Sequence, residues 1–134
     1  KFIPLIKEKK NIKLIQDAMF SSTNEIRGTS YSSRIDNPKY KFAGKTGTAQ
    51  VKKITARDRE LDLDTSEIPY EERDHALYIA FGPYKSPKYA LSILVEHGGS
   101  GSTVAAPMAK RLFKKSIDRH EIRKNNESKK YLNI

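Results

Sequence analysis

The sequence predicts an α+β fold: an antiparallel sheet, three strands in this chain, flanked by helices. Two observations carry this. The element order reads helix, strand, strand, strand, helix, and the second and third strands are joined by a short Gly/Pro turn that only an antiparallel pair can use. At 134 residues the chain is long enough for one domain with a real core and too short for two ordinary ones.

The first helix is predicted over 11–23. Asn11 is placed to cap it, and Ile12, Ile15, Ala18, Met19 and Ser22 recur on one face at helical spacing. Gly28 turns the chain, and 29–39 reads as irregular, with Asp36-Asn37-Pro38 as a turn. A strand follows, over about residues 40–53, containing Ala43-Gly44-Lys45-Thr46-Gly47-Thr48-Ala49-Gln50. Residues 54–75 are acidic and aperiodic, with Pro69 interrupting them, and read as a long loop with room for a short helical turn. Asp62-Leu63-Asp64 lacks the glycine and terminal glutamate of a calcium loop, so solvated carboxylates are expected there.

Ala76–Phe81 is apolar on both faces, as in a strand covered on both sides. Residues 82–88 form a turn by their glycine and two prolines, and Tyr89–Val95 returns as the hairpin partner. Gly98-Gly99-Ser100-Gly101 reads as a flexible loop. Thr103 is placed to cap the last helix, with Pro107 near its first turn. Its expected buried stripe is Ala105, Met108, Ala109, Leu112 and Ser116, widened by Phe113 and Ile117. From about Arg123 the chain is polar and expected to fray, so 1–122 is taken as the folded part and 123–134 as a tail.

Composition narrows the function. The chain is 37% hydrophobic and 31% charged, with mean hydropathy −0.71, polar without the signature of disorder. It holds no apolar run near membrane-helix length and no signal-like leader at Lys1. Without cysteine it has neither a disulfide framework nor thiol chemistry. The net charge of +10 divides into +8 over 1–53, −4 over 54–109 and +6 over 110–134. A basic reading helix or a patch with stacking aromatics is missing, which argues against nucleic acid as a partner.

The chemistry concentrates in the octet 43–50. Its glycines let a ligand approach the backbone, Lys45 supplies a cation, and Thr46 and Thr48 supply hydroxyls. A phosphate-binding P-loop is excluded, because position 39 is lysine where that motif needs glycine, and Gly47-Thr48 is poor helix material. The alternative is the Lys-Thr-Gly element on a strand at the edge of an acyl-transfer site.

The octet, with Gly28-Thr29, Asp74-His75, Phe81-Gly82-Pro83-Tyr84, Val95-Glu96, Gly98–Gly101 and Ala105-Ala106-Pro107, resembles the class B penicillin-binding proteins. Within that family it looks most like the elongation type. The resemblance covers roughly residues 12–120. It implies the C-terminal portion of a transpeptidase domain with the penicillin-binding protein/β-lactamase-like fold. It further implies anchorage in the inner membrane outside this chain, a periplasmic face, and work alongside elongation-machinery membrane proteins.

The implied site roles are Lys45 and Thr48 as catalytic groups, with Thr46, Gly47 and Thr48 binding substrate. Lys45 would add positive potential at the nucleophile, the two hydroxyls would take the substrate carboxylate, and the Thr48 N–H would serve as an oxyanion donor. The implied ligands are a peptidoglycan stem peptide and β-lactam antibiotics, and acyl transfer by this route needs no metal and no cofactor. The family's Ser-x-x-Lys nucleophile is missing: no serine or threonine here has lysine three residues later. Ser22-Thr23-Asn24 matches the family's second motif formally, but it falls just after the first helix and too near Lys45, and is read as a decoy. The alternatives are a β-lactam sensor domain without turnover and a basic interaction module. Loss of the family's remaining strands also implies self-association through the 89–95 edge.

Overall fold

The computed structural model describes residues 8–53, 60 and 63–132; part of the acidic loop, at 54–59 and 61–62, lies outside the described residues. Helix α1 spans Lys9–Asn24, and strands β1, β2 and β3 span Ala43–Ala49, His75–Gly82 and Tyr89–Val95. Helix α2 spans Ala106–Leu132, entered through one π-helical turn at Gly101–Ala105. Short 3-10 turns occupy Tyr31–Ser33 and Tyr70–Glu72. The sheet has the order β1-β2-β3, antiparallel throughout, with Lys45 opposite Ile79, Thr46 opposite Tyr78, and Tyr78 opposite Ile93. The α+β architecture is as the sequence predicts.

Side chains alternate across β2 and only one face is buried. Ala76, Tyr78 and Ala80 join Phe42, Ala105, Ala106, Ala109, Phe113 and Ile117 in the core, with Leu91, Ile93 and Val95 packed at its margin. The small residues of α2 let that helix close on the sheet, and the Phe113 ring stacks on Phe42 with centroids 5.0 Å apart. The other face, apolar in sequence but without a helix to cover it among the described residues, leaves Ile79 52% and Leu94 56% exposed. The apolar run 76–81 therefore has cover on one side only among the described residues. The outer edge of β3 likewise has no strand partner among them, leaving a row of ladder groups open.

Several local expectations change. Asn11 lies inside α1, whose cap position is Glu8. The face of α1 that packs carries Thr23 rather than the Ile15–Ala18–Ser22 stripe, because polar Thr23 and Asn24 reach backbone groups of Gly44 in β1 and of Phe42 just before it. Strand β1 is shorter than predicted. Thr103 sits within the π-helical turn and caps nothing. The buried positions here are Ala105, at the end of the π-helical turn, and Ala106, Ala109, Phe113 and Ile117 of α2, while Met108 and Leu112 stay exposed, since one sheet face accepts only a narrow stripe.

Helix α2 runs on past Arg123 to Leu132. Its middle is fastened by Tyr89, whose hydroxyl lies 2.8 Å from His120 Nδ1, and by Lys39, whose ammonium lies 2.7 Å from Glu121. Beyond that, Arg, Lys and Glu are strong helix formers that propagate an established helix.

Gly44 illustrates how tightly β1 is seated. A Cβ there would lie 2.4 Å from the Tyr78 hydroxyl oxygen, whereas a Cβ at Gly47 would meet only Leu77 Cβ at 3.3 Å. Gly44→Ala is expected to destabilise the chain by about 1–3 kcal/mol through overpacking, and Gly47→Ala by less than about 1 kcal/mol. Urea unfolding of the two variants beside the parent measures the difference, and equal midpoints would contradict this packing.

Candidate functional site

The site is built where β1 passes the C-terminal end of α1. Thr23, fully buried in the last turn of α1, accepts the Gly44 N–H at 3.0 Å through its Oγ1. The same oxygen lies 2.9 Å from the Tyr78 hydroxyl, which is 3.0 Å from Ser30 Oγ. Asn24 Nδ2 donates to the Phe42 carbonyl at 2.9 Å. Two neighbouring side chains of one helix thus fix the backbone immediately before Lys45. Burial pushes the Tyr78 phenol above its ordinary pKa, against the opposing pull of its Ser30 and Thr23 hydrogen bonds, so it stays protonated and able to donate.

Lys45 emerges from this anchored segment on the exposed side. Its Nζ donates to the Thr46 carbonyl at 2.9 Å and to Thr46 Oγ1 at 3.2 Å. Thr46 Oγ1 is also 3.1 Å from Thr29 Oγ1, which is 3.2 Å from Ser22 Oγ. Thr48 is exposed further along the strand, and Gly47 between the two threonines is half-buried. A groove of about 450 Å³ opens beside Lys45, walled by Ile15, Ala18, Met19, Ser22 and Thr29. The stripe expected to be buried in the core is, in part, the wall of this groove.

The loop after β3 closes the far side. Gly101 sits so close to the sheet that a Cβ there would lie 2.5 Å from the Leu77 carbonyl oxygen and 2.6 Å from that of Gly47. The Gly-rich segment is therefore seated on the strand rather than a free loop. His97, at φ 53°, begins the turn, and its backbone N–H donates to His75 Nδ1 at 3.0 Å.

All four residues expected at the site, Lys45, Thr46, Gly47 and Thr48, lie along this one strand. Gly44 differs from them: its bareness serves the Tyr78 ring, not an approaching ligand. Ser22-Thr23-Asn24 lies in the last turn of α1 rather than after it, and Thr23 and Asn24 are occupied in holding β1. The sequence reading gave no role to Thr23, Ser30 or Tyr78. A tyrosine at an inward position of an apolar strand, with hydroxyl residues flanking Gly28, was the available signal. Among the described residues no three His, Asp or Glu side chains gather as metal ligands.

Residues 6–114 match the penicillin binding protein transpeptidase domain family. The peptidoglycan D,D-transpeptidase MrdA of Salmonella typhimurium is 35% identical over 105 residues, covering 78% of this chain and 16% of that protein. MrdA of Acinetobacter baumannii is 40% identical over 77 residues, covering 55% of this chain and 11% of that protein. Among solved structures, the complex between penicillin-binding protein PBP2 and MreC from Helicobacter pylori superposes with TM-score 0.64 at 36% identity, over 80% of this chain and 17% of that one. PBP2 of Pseudomonas aeruginosa in complex with WCK 5153 superposes with TM-score 0.62 at 30% identity, over 84% and 21%. The chain thus spans about a sixth of the length of the MrdA of Salmonella typhimurium that it matches. It belongs to the penicillin-binding protein transpeptidase family, as the C-terminal portion of a class B transpeptidase domain related to the PBP2 and MrdA proteins.

Proposed function

We propose that the chain supplies the Lys-Thr-Gly side of the active site of a peptidoglycan D,D-transpeptidase, with the nucleophilic serine contributed by residues preceding Lys1. The observation that carries this reading is the strand itself. Lys45 lines an open groove, and Thr46 and Thr48 follow it along the same strand, on backbone pinned by buried hydrogen bonds. Preorganised donors of this kind stabilise developing charge without reorganising during the reaction.

In the proposed reaction the serine oxygen attacks the penultimate D-alanine carbonyl of a stem peptide. D-Alanine leaves with a proton, and an amine of a neighbouring strand then displaces the serine. Lys45 holds positive potential beside the nucleophile, Thr46 and Thr48 take the terminal carboxylate, and the Thr48 N–H faces the oxyanion. β-Lactams acylate the same serine. The MreC complex of the Helicobacter pylori relative supports a place for the whole protein in a membrane-associated elongation assembly on the periplasmic face of the inner membrane. No helix among the described residues is long and apolar enough to cross a membrane, so that anchorage is assigned outside them.

Two outcomes test this. The 134-residue chain alone, incubated with a fluorescent penicillin, is expected to show no adduct by denaturing electrophoresis and intact mass, because it has no Ser-x-x-Lys. A covalent adduct on any residue contradicts the assignment of the nucleophile. In the full-length transpeptidase, Lys45→Ala is expected to slow acylation by about a hundredfold or more, the scale of losing a preorganised charge at a reacting centre. Lys85→Ala, in the β2–β3 turn, removes the same charge and is expected to leave the rate within about twofold. Equal losses at one ionic strength would assign the effect to net charge and sink the role of Lys45.

A further inference from the structure

Thr46 receives more attention from its neighbours than carboxylate binding by the strand alone requires. Its Oγ1 accepts from Lys45 Nζ at 3.2 Å, and an ammonium can only donate. Thr29 Oγ1 approaches the same oxygen at 3.1 Å, and Ser22 Oγ stands 3.2 Å behind Thr29. A hydroxyl has one proton and two lone pairs. With one lone pair of Thr46 held by Lys45, the direction of the Thr29 contact decides whether the Thr46 proton points back to Thr29 or is free for a ligand on β1.

We propose that Thr29 is a positioning residue: with a carboxylate bound along β1, Ser22, Thr29 and Thr46 donate in sequence, each to the next, and Thr46 donates to the ligand. This rests on the reading of Thr46 as a carboxylate-binding group. An anion at the end of a hydroxyl row polarises every member in the same sense, so the row strengthens a charged acceptor more than a neutral one. Thr46 then has both lone pairs filled, and its proton is committed to the ligand. Thr29 is set for this by its backbone, because Gly28 at the preceding position is packed against the α1 terminus. A Cβ at Gly28 would lie 2.3 Å from the Ser22 carbonyl oxygen. The row therefore selects for a free carboxylate over its ester or amide, a discrimination that the Lys-Thr-Gly strand alone does not provide in full.

The test compares acylation of the full-length transpeptidase by a penicillin and by its methyl ester, and reads the ratio of the two second-order rate constants. Thr29→Val is expected to lower the acid-to-ester ratio by about tenfold, the lower range for a hydrogen bond to a charged group. Thr29→Ser, which keeps the hydroxyl, is expected to restore the ratio. Loss of both rates by the same factor in Thr29→Val would mean a packing role only and would overturn the proposal, as would an unchanged ratio. Thr46→Val, run in parallel, keeps two failures apart. A ratio that collapses there but not in Thr29→Val sinks the row alone, while a ratio untouched by Thr46→Val sinks the carboxylate reading beneath it. Should Thr29→Val not fold, Ser22→Ala decides: a fall in the ratio supports the row, and no change overturns it.

Discussion

The hydroxyl of Tyr78, packed into the space left by the absent side chain of Gly44, is the contact on which the site depends. It joins the end of α1 through Thr23, the segment entering the 3-10 turn through Ser30, β1 through Gly44, and β2 through Tyr78 itself. No buried side-chain polar atom among the described residues is left without a partner, so the cluster avoids the penalty that an unsatisfied hydroxyl would impose. The consequence for function is positional. Lys45 follows Gly44 directly, and its exposed side chain starts from backbone that cannot shift without breaking several buried hydrogen bonds.

A second constraint is the division of labour between the two faces of the sheet. The inward face is closed by α2 through alanines and Phe113, leaving the outward face for Lys45, Leu77, Ile79 and Leu94. Each residue on β2 alternates between structural and outward duty, which is why a one-residue slip would exchange Lys45 for Gly44 and abolish both the packing and the site. The apolar outward face beside Lys45 agrees with a chain that spans only a small share of its relatives' length.

Much of this was legible in the sequence. The hairpin of β2 and β3 was signalled by two apolar runs around a Gly/Pro turn, and the Lys-Thr-Gly strand by its own residues. What escaped were features fixed by long-range contacts. The face of α1 was misassigned because periodicity counts apolar residues, while the real anchors are Thr23 and Asn24, which bond to backbone some twenty residues away. Gly44 and Gly47 look alike in the sequence, but only the first has a tyrosine pressed against it. Beyond about Arg123 a polar segment gives no stripe to follow, whereas Tyr40, Lys39 and Tyr89 hold the middle of α2 at Asp118, Glu121 and His120.

The account's central claim is that β1 presents Thr46 and Thr48 as the carboxylate-binding edge of an acyl-transfer site. The most direct measurement is a crystal structure of the full-length transpeptidase acylated by a penicillin. The account predicts the ligand lying along β1, its carboxylate within hydrogen-bonding distance of both threonine hydroxyls and its acyl oxygen on the Thr48 N–H. A carboxylate held by other groups, with β1 untouched, would contradict it.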